Sequence, residues 1–110
     1  MAKEIKADFG LVVDGTSGAP ELEAEWLKVA GEAFQIWKVR QKKYSKANIS
    51  AFGEVGCLVR LHDKLARLRT ALIDKQGIDA DANDSVADGW LDSVNYSLMG
   101  LICHRGLWDK

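Results

Sequence analysis

The sequence lacks a long apolar run, and it contains little proline and little cysteine. Among its 110 residues are one proline and two cysteines, and its formal net charge is −1. No window approaches the roughly 18 apolar residues of a membrane-spanning helix, and MAKEIKADFG has no apolar core of a signal peptide. The near-neutral balance also argues against a nucleic-acid polymer as the main partner. We therefore expect a cytoplasmic protein.

The cysteines and histidines have no spacing typical of a metal site. Cys57 and Cys103 each lie inside an apolar helical pattern, which predicts ordinary buried thiols. His62 and His104 are far apart and show no paired ligand spacing. The segment DADAND begins like a calcium loop, but Asp84 occupies its sixth position, where glycine is needed. Neither a zinc site nor an EF-hand is predicted.

Helical periodicity dominates the sequence after residue 20. Apolar residues recur at intervals of three and four over residues 21–44, 50–74 and 83–104. The first segment carries glutamates early and lysines late, which complements the dipole of a helix. Almost no strand pattern follows residue 13. The sequence therefore predicts an all-α fold, a helical bundle of three long helices.

We expect a single domain over residues 20–110, preceded by an N-terminal arm and loop over residues 1–19. The length suffices for one hydrophobic core, but three helices of this length make a thin one. A homodimer or homotetramer is therefore predicted to complete the bundle. The apolar surface that needs cover includes that of Trp26, Trp37, Trp90 and Trp108.

Glu54 interrupts an apolar helical stripe. At about 100° per residue it lies on the same face as the leucines of that stripe, namely Leu58, Leu61, Leu65, Leu68 and Leu72. Because an unpaired buried carboxylate costs several kcal/mol, we expect a cation, a metal or a hydrogen-bond network beside it. Alternatively, Glu54 lies in the first turn after a cap at Ser50 and reaches solvent past the helix end.

Asp84, Asp88 and Asp92 follow each other at four-residue spacing in the third predicted helix. Together with Glu54 they offer hard oxygen ligands, which suit Mg²⁺ or Mn²⁺. If the second and third helices are antiparallel, Glu54 needs a second chain or a tilted crossing to meet the aspartates. Alternatively, the aspartates cap their helix and face water.

Arg60, Lys64 and Arg67 form a cationic stripe on the second predicted helix, and Lys43 adds charge before it. Such a stripe can bind phosphate groups. Equally, Asp63 can pair with Arg67 across one helical turn, which makes the stripe a solvated face.

The order of these residues resembles a known family. KKYSKANISAFGEVGCLVRLHDKLARL, an acidic linker and DSVADGWLDSVNYSLMGL are similar to the phage and bacterial all-α family called nucleotide modification associated domain 1. That family looks like a branch of the all-α nucleoside triphosphate pyrophosphohydrolases, which include MazG and the dimeric dUTPases. The resemblance covers about residues 35–108. The matching positions are Tyr44, Gly53, Glu54, Arg60, Asp63, Lys64, Arg67, Asp88, Asp92 and Tyr96.

The resemblance implies a MazG-like bundle that hydrolyses a nucleoside triphosphate to the monophosphate and pyrophosphate with Mg²⁺. It implies catalytic roles for Glu54 and Asp88, and metal ligation by Glu54, Asp84, Asp88 and Asp92. The implied substrate-binding residues are Lys43, Tyr44, Arg60, Lys64, Asn95 and Tyr96.

Several positions depart from the family pattern. Ser45 stands where the loop glycine is expected, Gly89 replaces a threonine, and Asp84 replaces a longer acid. The Glu-x-x-Glu pair of the wider superfamily is also absent, because Cys57 stands three residues after Glu54. Fewer acids hold a metal more weakly. The second hypothesis is therefore a phage-type module without turnover that sequesters a nucleotide or docks on a host protein.

Overall fold

Helices account for most of the chain in the computed structural model, which describes residues 10–74 and 82–110. No strand occurs within these described residues, so the predicted all-α class is confirmed. None of their helices is long and apolar enough to cross a membrane. The chain divides into two compact units after Gly31. The predicted arm over residues 1–13 lies mostly outside the described residues.

The first helix, α1, spans Pro20–Tyr44, one residue earlier than predicted. Proline suits the first position of a helix, and α1 has acids in its first turn and lysines in its last. Ser45 ends the helix with a φ of 65° and donates its N–H to the carbonyl of Gln41. This left-handed conformation favours glycine, which the family pattern carries at the same position.

Glu23 organises the loop that precedes α1 in the first unit. Its carboxylate accepts hydrogen bonds from the backbone N–H groups of Asp14, Gly15 and Ser17 at 2.9–3.1 Å, and from the Ser17 hydroxyl at 2.5 Å. The Ser17 side chain, followed by the Gly15 N–H, lowers the pKa of Glu23 to about 2. The loop is thus tied to the first turn of the helix through one charged side chain.

A short helix, α2, spans Ala47–Ser50, in the segment between the first two predicted helices. The prediction of Ser50 as a helix cap was wrong, because its hydroxyl oxygen lies 2.5 Å from Oδ1 of Asp109 and 3.0 Å from the carbonyl oxygen of Lys46 instead. The residue that precedes the next helix is Phe52, which makes no side-chain capping bond.

The next helix, α3, spans Gly53–Arg69 and continues as a π-helical turn over Thr70–Asp74. The described residues therefore hold more helical segments than the three that were predicted. The last long helix, α4, spans Ala82–His104. It ends in a Schellman motif, in which Gly106 has a φ of 69° and Leu107 donates its N–H to the carbonyl of Ile102.

Helices α3 and α4 pack against each other in antiparallel directions. Gly89 near the start of α4 contacts Leu68 near the end of α3, and Gly100 near the end of α4 contacts Cys57 near the start of α3. A Cβ atom built on Gly89 would lie 2.9 Å from a Leu68 methyl carbon. The absence of a side chain at Gly89 therefore sets how closely the two helices approach at this end.

The hydrophobic core of the described residues is small. Its buried apolar side chains are those of Ala33, Cys57, Leu68 and Met99. Of the predicted apolar stripe on α3, Leu68 is 5% exposed but Leu58 is 64% exposed. Most of this stripe is therefore available to another surface.

Candidate functional site

Asp92 on α4 lies at the centre of an ion-pair network that joins the long helices of the second unit. Its carboxylate is 2.5 Å from the guanidinium of Arg40 on α1 and 2.9 Å from the ammonium of Lys64 on α3. The side chain of Asp92 is only 8% exposed. Burial by itself raises the pKa of Asp92, but the hydrogen bonds from Lys64 and Arg40 outweigh it, and the net shift is downward.

Two cavities lie on either side of this network and share Arg40, Lys64 and Asp92 in their walls. The smaller cavity, of about 290 Å³, also contains Arg67 and Asp88. Asp88 is exposed in this cavity, within the first turns of α4.

The larger cavity, of about 400 Å³, is a cationic cleft. Three of its side chains are cationic, namely Arg40, Arg60 and Lys64, whereas its one acid is Asp92. The other walls are formed by aromatic, amide and hydroxyl groups, including those of Trp37, Tyr44, Ser45, Asn48, Asn95 and Tyr96. The cleft therefore combines positive charge with flat aromatic rings and hydrogen-bonding side chains.

Most of the predicted substrate-binding residues lie together in this cleft. Tyr44, Arg60, Lys64, Asn95 and Tyr96 all line it. The side-chain amide of Asn95 donates to the carbonyl of Ala33 at 2.9 Å, which fixes its orientation. Lys43 is exposed and is not part of the cleft wall. Its ammonium lies 5.4 Å from the centre of the Tyr44 ring.

The predicted metal ligands, by contrast, are not brought together among the side chains that the structure describes. Glu54 lies at the opposite end of the α3–α4 pair from Asp88, is 55% exposed, and contacts His104 at 3.0 Å. Asp92 is engaged by two cations, and the side chain of Asp84 lies outside what the structure describes. Within residues 10–74 and 82–110, no three His, Cys, Asp or Glu side chains are grouped to hold a metal ion. The described donors therefore do not fit a Mg²⁺ centre.

Two further predictions for α3 concern the exposure of Glu54 and an ion pair between Asp63 and Arg67. Glu54 reaches solvent, as the alternative interpretation held, and its partner is the imidazole of His104. Asp63 and Arg67 do not form an ion pair among the residues that are described, where the pairs are those of Asp92 and of Glu54.

Sequence reasoning missed Arg40 and Trp37 as members of the cleft. In the sequence, Arg40 is one of several basic residues late in the first predicted helix, where positive charge complements the helix dipole. A signal was nevertheless present, because Ala33, Trp37 and Arg40 are spaced as i, i+4 and i+7 and so share one face of α1. Ala33 is buried, so this face of α1 packs against another element. A cation on such a face needs an acidic partner there.

No family model, no curated protein and no solved structure matches this chain.

Proposed function

We propose that this protein binds a nucleotide, or a closely related phosphorylated small molecule, in the cationic cleft. The observation that carries the proposal is the excess of positive charge there, with Arg40, Arg60 and Lys64 set against Asp92 alone. Asp92 balances one of these charges. The remaining charge suits a phosphate group, because arginine donates two parallel hydrogen bonds to phosphate oxygens.

The shape and chemistry of the cleft support the same ligand class. A volume of about 400 Å³ lies within the range of roughly 300–1,000 Å³ that is usual for small-molecule sites. Trp37, Tyr44 and Tyr96 offer aromatic surface to a base, and stacking on such rings contributes about 1–3 kcal/mol. Asn48 and Asn95 add donors and acceptors for a base edge or a sugar hydroxyl.

A purely structural network is the competing explanation for the charges. Under that explanation, Arg40 and Lys64 serve only to neutralise the buried Asp92. It does not account for Arg60, which lines the same cleft but belongs to none of the ion pairs found in the described residues. We therefore use Arg60 to separate the two explanations.

The proposed function is nucleotide binding, and hydrolysis of the bound nucleotide is not part of it. The family resemblance implies Mg²⁺-dependent cleavage to the monophosphate and pyrophosphate, and that activity remains a prediction. Because Glu54 and Asp92 have other partners, a hydrolytic site needs acids that the described part of one chain does not bring together. Turnover is therefore tested as a separate outcome.

We also propose a homodimer formed through the exposed apolar face of α3 and α4. Val55, Leu58 and Leu101 line an open groove of about 530 Å³ between these helices. Leu58, Leu65 and Leu72 are all exposed and follow each other at heptad spacing, which is the pattern of a helix that packs on a second helix. In an antiparallel pair of identical chains, each α3 covers the face that the other exposes.

The size of this face is compatible with a dimer. The exposed apolar face of α3, called the α3 seam, extends over the 18 residues from Val55 to Leu72, or about 27 Å at about 1.5 Å per residue. Two helices side by side, each about 10 Å wide, give roughly 500 Å² in projection, and more in accessible area. That approaches the roughly 800 Å² per partner of a stable interface.

Calorimetric titration with the common nucleoside triphosphates and deoxynucleoside triphosphates, with and without Mg²⁺, tests the binding proposal. We expect saturable binding that Arg60→Ala weakens about tenfold or more, since a hydrogen bond to a charged group contributes about 1.5–3 kcal/mol. Arg69→Ala is the matched control, because Arg69 is an exposed arginine on the same helix outside the cleft.

Two results would contradict the binding proposal. One is the absence of binding to every nucleotide at millimolar concentration, and the other is equal affinity in wild type and Arg60→Ala. A parallel assay for released pyrophosphate separates a binding module from an enzyme. Release that depends on Mg²⁺ would add turnover to binding.

A further inference from the structure

The two helices α3 and α4 approach each other closely beside Cys57. A Cβ atom built on Gly100 would lie 3.5 Å from the Cβ atom of Cys57. Disulfide-bonded cysteines have their Cβ atoms about 3.5–4.5 Å apart, so at the level of Gly100 the two helix backbones are close enough for a covalent link between side chains. Cys103 follows Gly100 by three residues and therefore lies on the same face of α4, one turn further along.

A second contact between α3 and α4 lies on the other side of Cys103. Glu54, one turn before Cys57 on α3, contacts His104, which directly follows Cys103 on α4. Cys57 and Cys103 therefore lie within one helical turn of each other, between two contacts that join the same pair of helices. Both cysteines are free; Cys57 is 2% exposed, whereas Cys103 is only partly buried. One thiol is thus sheltered and the other can be reached from solvent.

We propose that Cys57 and Cys103 form an intramolecular disulfide when the protein meets a small disulfide oxidant such as oxidised glutathione. This covalent lock between α3 and α4 is independent of the proposed nucleotide site. The reaction balances in two exchange steps. The Cys103 thiolate attacks one glutathione sulfur and releases one glutathione, and the Cys57 thiolate then attacks Cys103 and releases the second. The protein loses two thiol protons and two electrons, which reduce the oxidant to two glutathione molecules.

The environment of Cys57 determines the rate of the second step. Burial, followed by the neighbouring Cys103 thiol and the Glu54 carboxylate, raises the pKa of Cys57 to about 11. The titratable groups around it are Cys103, Tyr96 and His104 on α4 and Glu54 on its own helix. Since the thiolate is the nucleophile, the rate should rise about tenfold per pH unit between about pH 7 and pH 10. Near neutral pH the pair therefore resists brief oxidation.

The lock has a measurable effect on stability. It closes the long stretch of chain between Cys57 and Cys103, including the connection between α3 and α4, and so restricts the unfolded state. We expect the thermal midpoint of the oxidised protein to exceed that of the reduced protein by about 10 °C, and dithiothreitol to reverse the increase.

The experiment is to incubate the full chain with oxidised glutathione at about pH 8.5, alkylate the remaining thiols, and digest with trypsin. The expected product is a monomer in which peptide 47–60 is linked to peptide 76–105, with no thiol left to alkylate. In Cys57→Ser, Cys103 should keep a glutathione adduct. In Cys103→Ser, Cys57 should stay reduced because it is buried.

Three results would overturn the proposal, and each can be read from wild-type protein alone. They are full retention of both thiols, a glutathione adduct on Cys103 that never resolves, and links that join two chains instead of one. Because none of these requires a variant to fold, a destabilised cysteine variant does not weaken the test.

Discussion

The ammonium of Lys64 lies 2.9 Å from Oδ2 of Asp92, across the interface between α3 and α4. Asp92 was predicted as a metal ligand and Lys64 as a phosphate ligand, and the two are instead partners in the described structure. With Arg40 on the other carboxylate oxygen, Asp92 holds two cations at the wall of the cationic cleft. The network therefore joins three helices and leaves one net positive charge at the wall of the cleft.

We predict that Asp92→Asn lowers the free energy of unfolding by about 2–3 kcal/mol. Removal of a buried charge from a pair typically costs about 3–5 kcal/mol, and the partial exposure of Arg40 reduces that cost. Urea denaturation measures the change. Asp88→Asn is the matched control, since the exposed Asp88 should change stability by no more than about 0.5 kcal/mol. If both variants changed the free energy of unfolding by the same amount, Asp92 would not stabilise the fold.

The same residue predicts a dependence of stability on pH. In the folded protein the hydrogen bonds from Lys64 and Arg40 outweigh burial and hold the pKa of Asp92 below the ordinary value of an aspartate. Its contribution is therefore fully present above that value and is lost as the pH falls through the lower folded pKa. We expect Asp92→Asn to flatten the acid side of a stability curve measured by urea denaturation below about pH 4. An unchanged slope would mean that other carboxylates determine acid unfolding.

Lys64→Ala should lower both stability and nucleotide affinity. Loss of the charge-assisted hydrogen bond to Asp92 removes about 1–3 kcal/mol, and the cleft loses one of its three cations. Affinity is measured by calorimetry with a non-hydrolysable nucleotide analogue, at a temperature where the variant is folded. Lower stability with unchanged affinity would make Lys64 a structural counter-ion only and would remove it from the ligand site.

Ser45→Gly should stabilise the protein by about 0.5–1 kcal/mol. Ser45 has a φ of 65°, a conformation that costs an L-residue about 1–2 kcal/mol and costs glycine little. Ser97→Gly is the control, because Ser97 is exposed inside α4 and glycine there should destabilise the helix by about 0.5 kcal/mol. Thermal midpoints that shift in the same direction for both variants would contradict this account of Ser45.

Gly89→Ala should destabilise the α3–α4 contact by about 1 kcal/mol, because the added Cβ would lie 2.9 Å from a Leu68 methyl group that must move aside. Gly31→Ala is the matched control. Gly31 lies inside α1 with no atom within 4 Å of an added Cβ, so alanine there should stabilise by about 0.5–1 kcal/mol. A stabilising Gly89→Ala would show that the helix spacing does not depend on this glycine.

The contrast between Ser45 and Asp92 shows what the sequence could predict. The helices and the turn at Ser45 depend on local spacing and local backbone preference, so the long helical segments were placed within a few residues. The partner of Asp92 depends on which faces of α1, α3 and α4 meet, and a helical wheel gives the face of a residue but not its neighbour. Arg40 was missed for this reason, because only the structure shows that Asp92 lies 2.5 Å away and is its ion-pair partner.

The apolar stripe that contains Glu54 shows a second limit of prediction from the sequence. Its leucines predicted a buried face, and burial was assumed to occur within one chain. In the described structure Leu58 and Leu65 remain largely exposed, and Glu54 reaches the imidazole of His104. An apolar stripe predicts that something covers it, but does not say whether that cover is another helix of the same chain or of a second copy.

Leu58→Glu therefore provides the sharpest test of the proposed homodimer. A carboxylate in the middle of the α3 seam meets its symmetry-related apolar surface and loses solvation there, so the dissociation constant should rise at least a hundredfold. Light scattering coupled to size exclusion measures the mass at micromolar concentration. Val39→Glu on α1 is the control, because Val39 is at least as exposed as Leu58 but lies outside this face. A wild-type monomer would contradict the dimer, and a dimer lost equally in both variants would place the interface elsewhere.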